Sequence, residues 1–221
     1  MNIAVLGAGA WGSALASSLA AYHRVTLWGR DGVQMSSLAK TGYNSAYLPG
    51  VRLHGALGYS DNLEQILAAH AAPSDLIIVA TPLSALRDCF RAIAGSGSSA
   101  AVLWLCKGVE RESKLLPHQI AAEVLNDETA FGVLSGPSFA QEVAQSLPCA
   151  LVLASNHPDL NADFASSLHH ANLRIYHSTD VIGVEIGGAL KNVLAIAAGI
   201  CDGMKLGLNA RAALLTRGIA E

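Results

Sequence analysis

The sequence predicts an α/β protein, a doubly wound domain built on a parallel sheet, followed by the start of an all-helical second domain. Short, wholly apolar segments alternate with helical segments up to about residue 178. That alternation is typical of a parallel sheet covered by helices on both faces. Beyond that point the strand-like segments stop and helical segments continue. We therefore assign residues 1–178 to the first domain and 179–221 to the beginning of the second.

Most of the predicted strands are short and mainly apolar, as expected for strands buried on both faces, and the last, LRIYHS, is weaker. The segment DLIIVA shows the pattern well, because Pro73 and Pro82 bound it on either side. In chain order the predicted strands are 2–6, 24–28, 75–80, 101–106, 131–135, 149–155 and 173–178.

The predicted helices fill the intervals between these strands. The first is WGSALASSLAAY, directly after a glycine-rich turn. The next are Asn62–His70, Leu83–Ala94, Leu115–Leu125, Ser138–Gln145, with Ser138 as its N-cap, and Asp159–His169. Two more, Asp180–Met204 and a helix from Asn209 to the end, form the second domain.

The composition narrows the class of protein. The 221 residues are 52% hydrophobic and 14% charged, with a formal net charge of −3, a balance that excludes a disordered chain. Lys and Arg form no cluster, so we predict neither a nucleic-acid partner nor membrane insertion. The four cysteines match no metal or redox spacing. We predict reduced, buried thiols, no metal and a cytoplasmic location.

The turn after the first strand carries a phosphate-binding pattern. AVLGAGAWGSALA places Gly7, Gly9 and Gly12 in the G-x-G-x-x-G register of Rossmann dinucleotide-binding domains. Gly7 would allow the tight turn, Gly9 the approach of the pyrophosphate, and Gly12 close packing of helix on strand. The helix N-terminus would supply N–H groups to the phosphates. The motif alone is weak, and a purely structural turn is the alternative.

The end of the second strand bears on which dinucleotide binds. An NAD site places a carboxylate there for the ribose hydroxyls, whereas an arginine can hold the 2′-phosphate of NADP. Here the strand ends in Gly29-Arg30-Asp31. We predict that NADP is accepted, with NAD still possible because of Asp31. The alternative is that Arg30 is a solvated loop residue.

Other polar groups also follow predicted strands. Lys107-Gly108, Ser135-Gly136-Pro137-Ser138 and Thr81-Pro82 each come directly after one. In open α/β sheets ligands bind beyond the carboxyl ends of the strands. Each segment alone would be an ordinary loop, but their convergence at one sheet edge predicts a site.

Lys191 is the one charge in the apolar run from Ile186 to Cys201. It could snorkel to solvent, lie in a core helix with one exposed edge, or belong to a membrane span, although Glu185 and several glycines argue against a span. The functional interpretation is a partly buried lysine with a lowered pKa, poised for proton transfer. Helical side chains lean toward the N-terminus, so Lys191 would lie over Gly187 and Gly188, which leave room for a ligand.

The segment GALKNVLAIAAGICDGMKLGLN, from Gly188 to Asn209, resembles the signature of NAD(P)-dependent glycerol-3-phosphate dehydrogenases of the bacterial type. LGAGAWGSALA, CKG and LSGPSFAQEV also resemble motifs of that family, in the family's order. Departures are small: Ser138 stands where the family often has Thr, and Gln141 where it often has Lys.

The resemblance implies an oxidoreductase that interconverts sn-glycerol 3-phosphate and dihydroxyacetone phosphate with NADP or NAD, for glycerophospholipid synthesis. By resemblance, the catalytic proton acceptor is Lys191, which also contacts the substrate, and Lys107 touches both substrate and cofactor. The substrate would further be lined by Gly136 and Ser138. The dinucleotide would be met by the glycine-rich turn, Ala10, Trp11, Arg30 and Ala140.

Other interpretations stay open at this point. A different hydroxyacid dehydrogenase would share the same two-domain plan, and a non-catalytic dinucleotide-sensing module would need only the turn. A homodimer is possible. We expect the chain to be the N-terminal piece of a longer enzyme, able to bind dinucleotide but not to turn over, because its last helix has an apolar face without a partner. The resemblance places the phosphate-anchoring residues beyond residue 221.

Overall fold

A computed structural model of the chain describes residues 1–155, 157 and 163–220. Its described strands form one sheet in the order β3-β2-β1-β4-β5-β6-β7-β8. Their bounds are β1 Asn2–Leu6, β2 Arg24–Trp28, β3 Gly58–Ser60, β4 Leu76–Val79, β5 Ala101–Trp104, β6 Phe131–Ser135, β7 Cys149–Ala154 and β8 Leu173–Ser178. The predicted doubly wound α/β fold is confirmed.

Helices cover both faces of this sheet. Along β1, Ile3 and Val5 point into one core with helix α1, while Ala4 and Leu6 point into the other, with α4 and α5. The helices are α1 Ala10–Leu19, α2 Gly32–Thr41, α3 Leu63–Ala69, α4 Leu86–Gly95, α5 Pro117–Val124, α6 Ala140–Ala144, α7 Ala165–Leu168, α8 Val181–Gly203 and α9 Gly207–Ala220. A 3₁₀ turn, Leu83–Ala85, precedes α4.

The strand order reverses between β1 and β4. The chain runs outward from β1 to β2 and β3, then crosses back to place β4 on the other side of β1. At such a switch point the loops after the two strands diverge to opposite faces and leave a crevice between them. The glycine-rich turn after β1 therefore borders that crevice.

The last two strands correct the prediction of a parallel sheet throughout. β1 to β6 are parallel, but β7 pairs antiparallel with β6, and β8 follows β7 in parallel. The reason is the short helix in the connection between them, residues 136–148: α6 has five residues, too few to carry the chain back along the whole of β6. A parallel crossover usually needs a dozen or more residues with a full helix. The chain therefore enters β7 near the end of the sheet at which β6 stops, and β7 runs antiparallel to β6.

Two elements and one cap were missed or misassigned from the sequence. Helix α2 has Asp31 as its N-cap and Gly42, with a φ of +73°, as its C-cap. It buries only Met35 and Leu38, so its apolar pattern in the sequence is weak. Strand β3 has three residues. The predicted N-cap role of Ser138 is wrong, because α6 begins at Ala140 and has no side-chain cap.

The predicted helix 159–169 overlaps residues 158–162, which lie outside the described residues; the described part of it is α7.

Helix α8 confirms the predicted helix 180–204 to within one residue at each end. Its first turn is capped by Asp180, whose Oδ1 accepts from the N–H of Gly183 at 2.8 Å. Among the described residues, α8 is long and apolar enough to cross a membrane. Length and composition alone do not separate a span from a helix of a soluble protein, and Glu185 of α8 is buried against β5 and α5.

Candidate functional site

A cleft of about 740 Å³ lies at the switch point between β1 and β4. Six of the residues predicted from the sequence line it: Gly7, Gly9, Ala10, Trp11, Arg30 and Lys107. Thr81 and Pro82, which follow β4, complete the opposite wall. Two of the three segments predicted to converge at this sheet edge therefore line one cleft, while the Ser135–Ser138 segment is not among its lining residues.

The three glycines of the turn have three different surroundings. Gly7 has φ +129°, and a Cβ there would lie 2.8 Å from the carbonyl carbon of Ala80. A Cβ on Gly12 would collide with the carbonyl oxygen of Gly7. A Cβ on Gly9 would meet nothing within 4 Å. Gly7 and Gly12 are therefore required by the fold, whereas Gly9 leaves open space facing the cleft.

The N-terminus of α1 opens beside that space. Gly9 is the N-cap of α1 and, as a glycine, offers no side chain to the first-turn N–H groups. These N–H groups and the positive end of the helix dipole favour an anion. An open glycine, a helix N-terminus and a cleft of this size fit a dinucleotide whose pyrophosphate lies against the turn.

The end of β2 separates the roles of Arg30 and Asp31. The carboxylate of Asp31 caps α2, since its Oδ1 accepts from the N–H groups of Val33 at 2.9 Å and Gln34 at 3.2 Å. Arg30 is exposed at the mouth of the main cleft and also borders a shallow neighbouring depression that includes Lys40. Because Asp31 is engaged as a cap, the cationic side chain is the better placed of the two to meet a ribose substituent.

Lys107 joins the cleft to the segment after β6. Its Nζ donates to the carbonyl oxygen of Gly136 at 3.3 Å, and the hydroxyl of Ser138 donates to the same oxygen at 3.3 Å. Burial lowers the pKa of Lys107, and the positive charge of Lys191 lowers it further.

Lys191 lies on the exposed side of α8, so the predicted partial burial is wrong for the described residues. Its Nζ lies 5.8 Å from the ring centroid of Phe139, within the range of a cation–π contact. Of the two glycines predicted to leave room beside it, Gly187 has open space, since a Cβ there would meet nothing within 4 Å. Gly188 lies against protein atoms instead: a Cβ there would lie 3.4 Å from Cδ of Lys107 and 3.2 Å from Oγ of Ser135. The absence of a side chain there lets α8 approach β6 and the Lys107 loop.

Ala140 directly follows Phe139 and does not line the cleft. It begins α6, which packs against α1, and it lies against the same core as Trp11. Among the described residues, no group of three His, Cys, Asp or Glu side chains is placed to hold a metal ion.

A buried carboxylate that was not singled out from the sequence fixes the helix carrying Lys191. Glu185 is 4% exposed, and its Oε1 accepts from Nε1 of Trp104 and from the backbone N–H of His118, both at 3.0 Å. Its Oε2 is 2.5 Å from Nδ1 of His118. Burial raises the pKa of Glu185. As a lone acid in an apolar segment, it carried the same signal that drew attention to Lys191.

A second missed feature is a pair of side-chain amides on the glycine-rich turn. Gln34 and Asn44 both donate to the carbonyl oxygen of Ala8. Asn44 lies in an irregular connection, where no periodic pattern marks it, so this contact has no signal in the sequence.

Comparison with known proteins agrees with this geometry. The family model of the NAD-dependent glycerol-3-phosphate dehydrogenase N-terminus matches residues 2–161, and that of the C-terminus matches residues 180–221. A glycerol-3-phosphate dehydrogenase of Herminiimonas arsenicoxydans, named as using NAD(P)+, is 52% identical over 221 residues, which are 100% of this chain and 66% of that protein.

Solved structures give the same result. Glycerol-3-phosphate dehydrogenase from Coxiella burnetii superimposes with a TM-score of 0.88 at 38% identity, over 99% of this chain and 66% of that one. The enzyme from Plasmodium falciparum gives a TM-score of 0.86 at 26% identity, over 100% of this chain and 64% of that one. The chain thus spans about two thirds of the length of the relatives it matches. It belongs to the NAD-dependent glycerol-3-phosphate dehydrogenase family.

Proposed function

We propose that this protein interconverts sn-glycerol 3-phosphate and dihydroxyacetone phosphate by hydride transfer with NADP or NAD. The observation that carries the proposal is the approach of α8, the helix that bears Lys191, to Lys107 at Gly188, beside a glycine-rich cleft that Lys107 lines. A dinucleotide-binding module without catalysis would need the cleft but not this pair of cations.

Residues in and beside the cleft would contact the pyrophosphate and the adenosine ribose of a dinucleotide. Gly9, Ala10 and Trp11 border the α1 N-terminus, where backbone N–H groups would hold the pyrophosphate. Arg30 would meet the 2′-phosphate of NADP, and Ala140, at the start of α6, would lie near the dinucleotide. The bound nicotinamide supplies the hydride or accepts it.

The protein's own groups manage the proton and the orientation of the substrate. We assign Lys191 as the acid–base group: its ammonium donates a proton to the ketone oxygen in reduction, and its neutral amine accepts the hydroxyl proton in oxidation. Lys107 is half-buried and already shares the Gly136 carbonyl with Ser138. These three residues would line the substrate and hold its polar groups beside the cofactor.

The cellular setting belongs to the same proposal. Formation of sn-glycerol 3-phosphate would supply glycerophospholipid synthesis, in the cytoplasm, by a protein that could act as a homodimer. A net charge of −3 without basic clusters favours a small-molecule substrate over a nucleic-acid partner. We retain residue 178 as the boundary between the dinucleotide-binding domain and the helical domain.

A substrate panel tests the proposed reaction. The chain is completed to the length of its relatives with the corresponding C-terminal segment of the Herminiimonas arsenicoxydans protein, and NADPH oxidation is followed with dihydroxyacetone phosphate and with 2-dehydropantoate. The proposal expects oxidation with dihydroxyacetone phosphate. Faster turnover of 2-dehydropantoate would assign a different hydroxyacid dehydrogenase, and NADPH binding without oxidation of either would assign a non-catalytic module.

A further inference from the structure

The carbonyl of Ala8, in the middle of the glycine-rich turn, is held by two side chains from distant elements. Nε2 of Gln34 donates to it at 2.9 Å, and Nδ2 of Asn44 donates to it at 3.0 Å. Asn44 also donates to Oγ of Ser13 on α1, at 2.8 Å. One peptide group of the turn is therefore fixed by two amides.

Asn44 is buried and hydrogen-bonded, unlike a typical residue of a surface loop. Its side chain is 1% exposed, and its own carbonyl accepts from the N–H of Leu48 at 2.7 Å. Leu48 and Leu53, in the same connection between α2 and β3, are buried in the core. A buried amide of this kind is retained only when its hydrogen bonds are made. The Nδ2 group of Asn44 donates to the glycine-rich turn and to the helix that follows, and its Oδ1 accepts from Nε2 of Gln34 at 3.4 Å.

The planarity of the peptide bond relates the Ala8 carbonyl to its neighbour. In a trans peptide the C=O of one residue and the N–H of the next point in opposite directions. Holding the Ala8 oxygen toward Asn44 and Gln34 therefore turns the N–H of Gly9 away from them. Gly9 borders the cleft, and a Cβ there would meet nothing within 4 Å.

We propose that Asn44 is a positioning residue for the dinucleotide: with Gln34, it holds the Ala8–Gly9 peptide so that the Gly9 N–H is aimed at the phosphates. The inference rests on the dinucleotide binding of the proposed function. If the peptide were free to rotate, the Ala8 oxygen could turn toward the cleft. A carbonyl oxygen would then face the phosphate oxygens where a donor is needed.

Asn44→Asp is the sharpest test, because it preserves size and shape but replaces the donating amide with a carboxylate that repels the Ala8 oxygen. Binding to the 221-residue chain is measured by titration calorimetry with two probes: NADPH, and adenosine 2′-monophosphate, which has no pyrophosphate. We expect Asn44→Asp to weaken NADPH binding by about tenfold or more, the scale of one charge-assisted hydrogen bond. Binding of adenosine 2′-monophosphate should change by less than about twofold.

Ser13→Ala is the matched control. It removes the Asn44–Ser13 hydrogen bond and leaves both donors on Ala8 in place. If Asn44 only fastens the loop to α1, Ser13→Ala should lower NADPH affinity as much as Asn44→Asp does. Our proposal expects the ratio of the two ligand affinities to stay at the wild-type value in Ser13→Ala, with at most a lower melting temperature.

Gln34→Met keeps the proposal testable if Asn44→Asp does not fold. It removes the second donor on Ala8 from a half-buried helix position and should weaken NADPH selectively, as Asn44→Asp does. Equal weakening of both ligands in a folded variant, or no weakening of NADPH, overturns the role of the amides. Failure of the wild-type chain to bind NADPH would instead contradict the proposed dinucleotide site.

Discussion

Gly9→Ala should remove dinucleotide binding while leaving the fold nearly intact. The backbone at Gly9 has φ −76° and ψ −174°, which any residue can adopt. The added methyl meets no protein atom within 4 Å. The remaining structural effect is the replacement of a glycine N-cap by alanine, about 1 kcal/mol of unfolding free energy. For a chain of this size that is a decrease of about 2–4 °C in Tm.

The effect of the same methyl on binding is much larger. It would occupy the space in which the pyrophosphate lies against the N-terminus of α1. Loss of two charge-assisted hydrogen bonds, at about 1.5–3 kcal/mol each, amounts to roughly 3–6 kcal/mol. That corresponds to an increase in Kd of about 100-fold or more. Calorimetry with NADPH and a thermal unfolding curve measure the two effects on one sample.

Gly12→Ala is the contrasting variant. Its methyl would collide with the Gly7 carbonyl and lie 3.0 Å from Cβ of Ala80, so we expect a loss of about 1–3 kcal/mol in stability from overpacking. Stability and binding should thus separate in Gly9→Ala and fall together in Gly12→Ala. A Gly9→Ala protein that binds NADPH within about threefold of wild type would refute the placement of the pyrophosphate at this turn.

Three further predictions follow from the same geometry. In the completed chain, Lys191→Met should lower turnover by about 100-fold or more with little change in NADPH affinity; near-normal steady-state turnover would exclude Lys191 as the acid–base group. Arg30→Ala should narrow the preference for NADPH over NADH by about tenfold, chiefly by weakening NADPH, and equal weakening of both in calorimetry would show that Arg30 serves only the shared adenosine. Because burial raises the pKa of Glu185, the folded chain binds this proton more tightly than the unfolded one. The contribution of Glu185 to stability is therefore lost as pH rises through its folded pKa. In Glu185→Gln the free energy of unfolding, measured with urea, should fall less steeply as pH rises. The same pH dependence in both proteins would contradict the prediction.

The parts of the fold with a strong local pattern were predictable from the sequence. The first strand, the glycine-rich turn and the first helix follow one another directly in the sequence. The positions that must be glycine, Gly7 and Gly12, can therefore be recognised from one short segment. Helix α8 was predictable for a similar reason, since twenty-three residues of continuous helix leave a clear apolar run.

The features that depend on tertiary distance were not predictable. The reversal of β7 follows from the shortness of α6, and the strand sequences themselves do not distinguish the two directions. The exposure of Lys191 depends on what packs around α8, which its own sequence does not specify. Asn44 contacts Ala8 of the glycine-rich turn, thirty-six residues earlier in the sequence, and lies in a segment without a periodic apolar pattern.

We propose that this cleft holds a dinucleotide for hydride transfer to a ketone bound near Lys107 and Lys191. The most direct measurement places deuterium on the transferable position of NADPH and analyses the product by mass spectrometry, using the completed chain and dihydroxyacetone phosphate. We predict one deuterium per molecule on C2 of glycerol 3-phosphate. NADPH bound by the protein without deuterium at C2 of any product formed would exclude hydride transfer to this ketone.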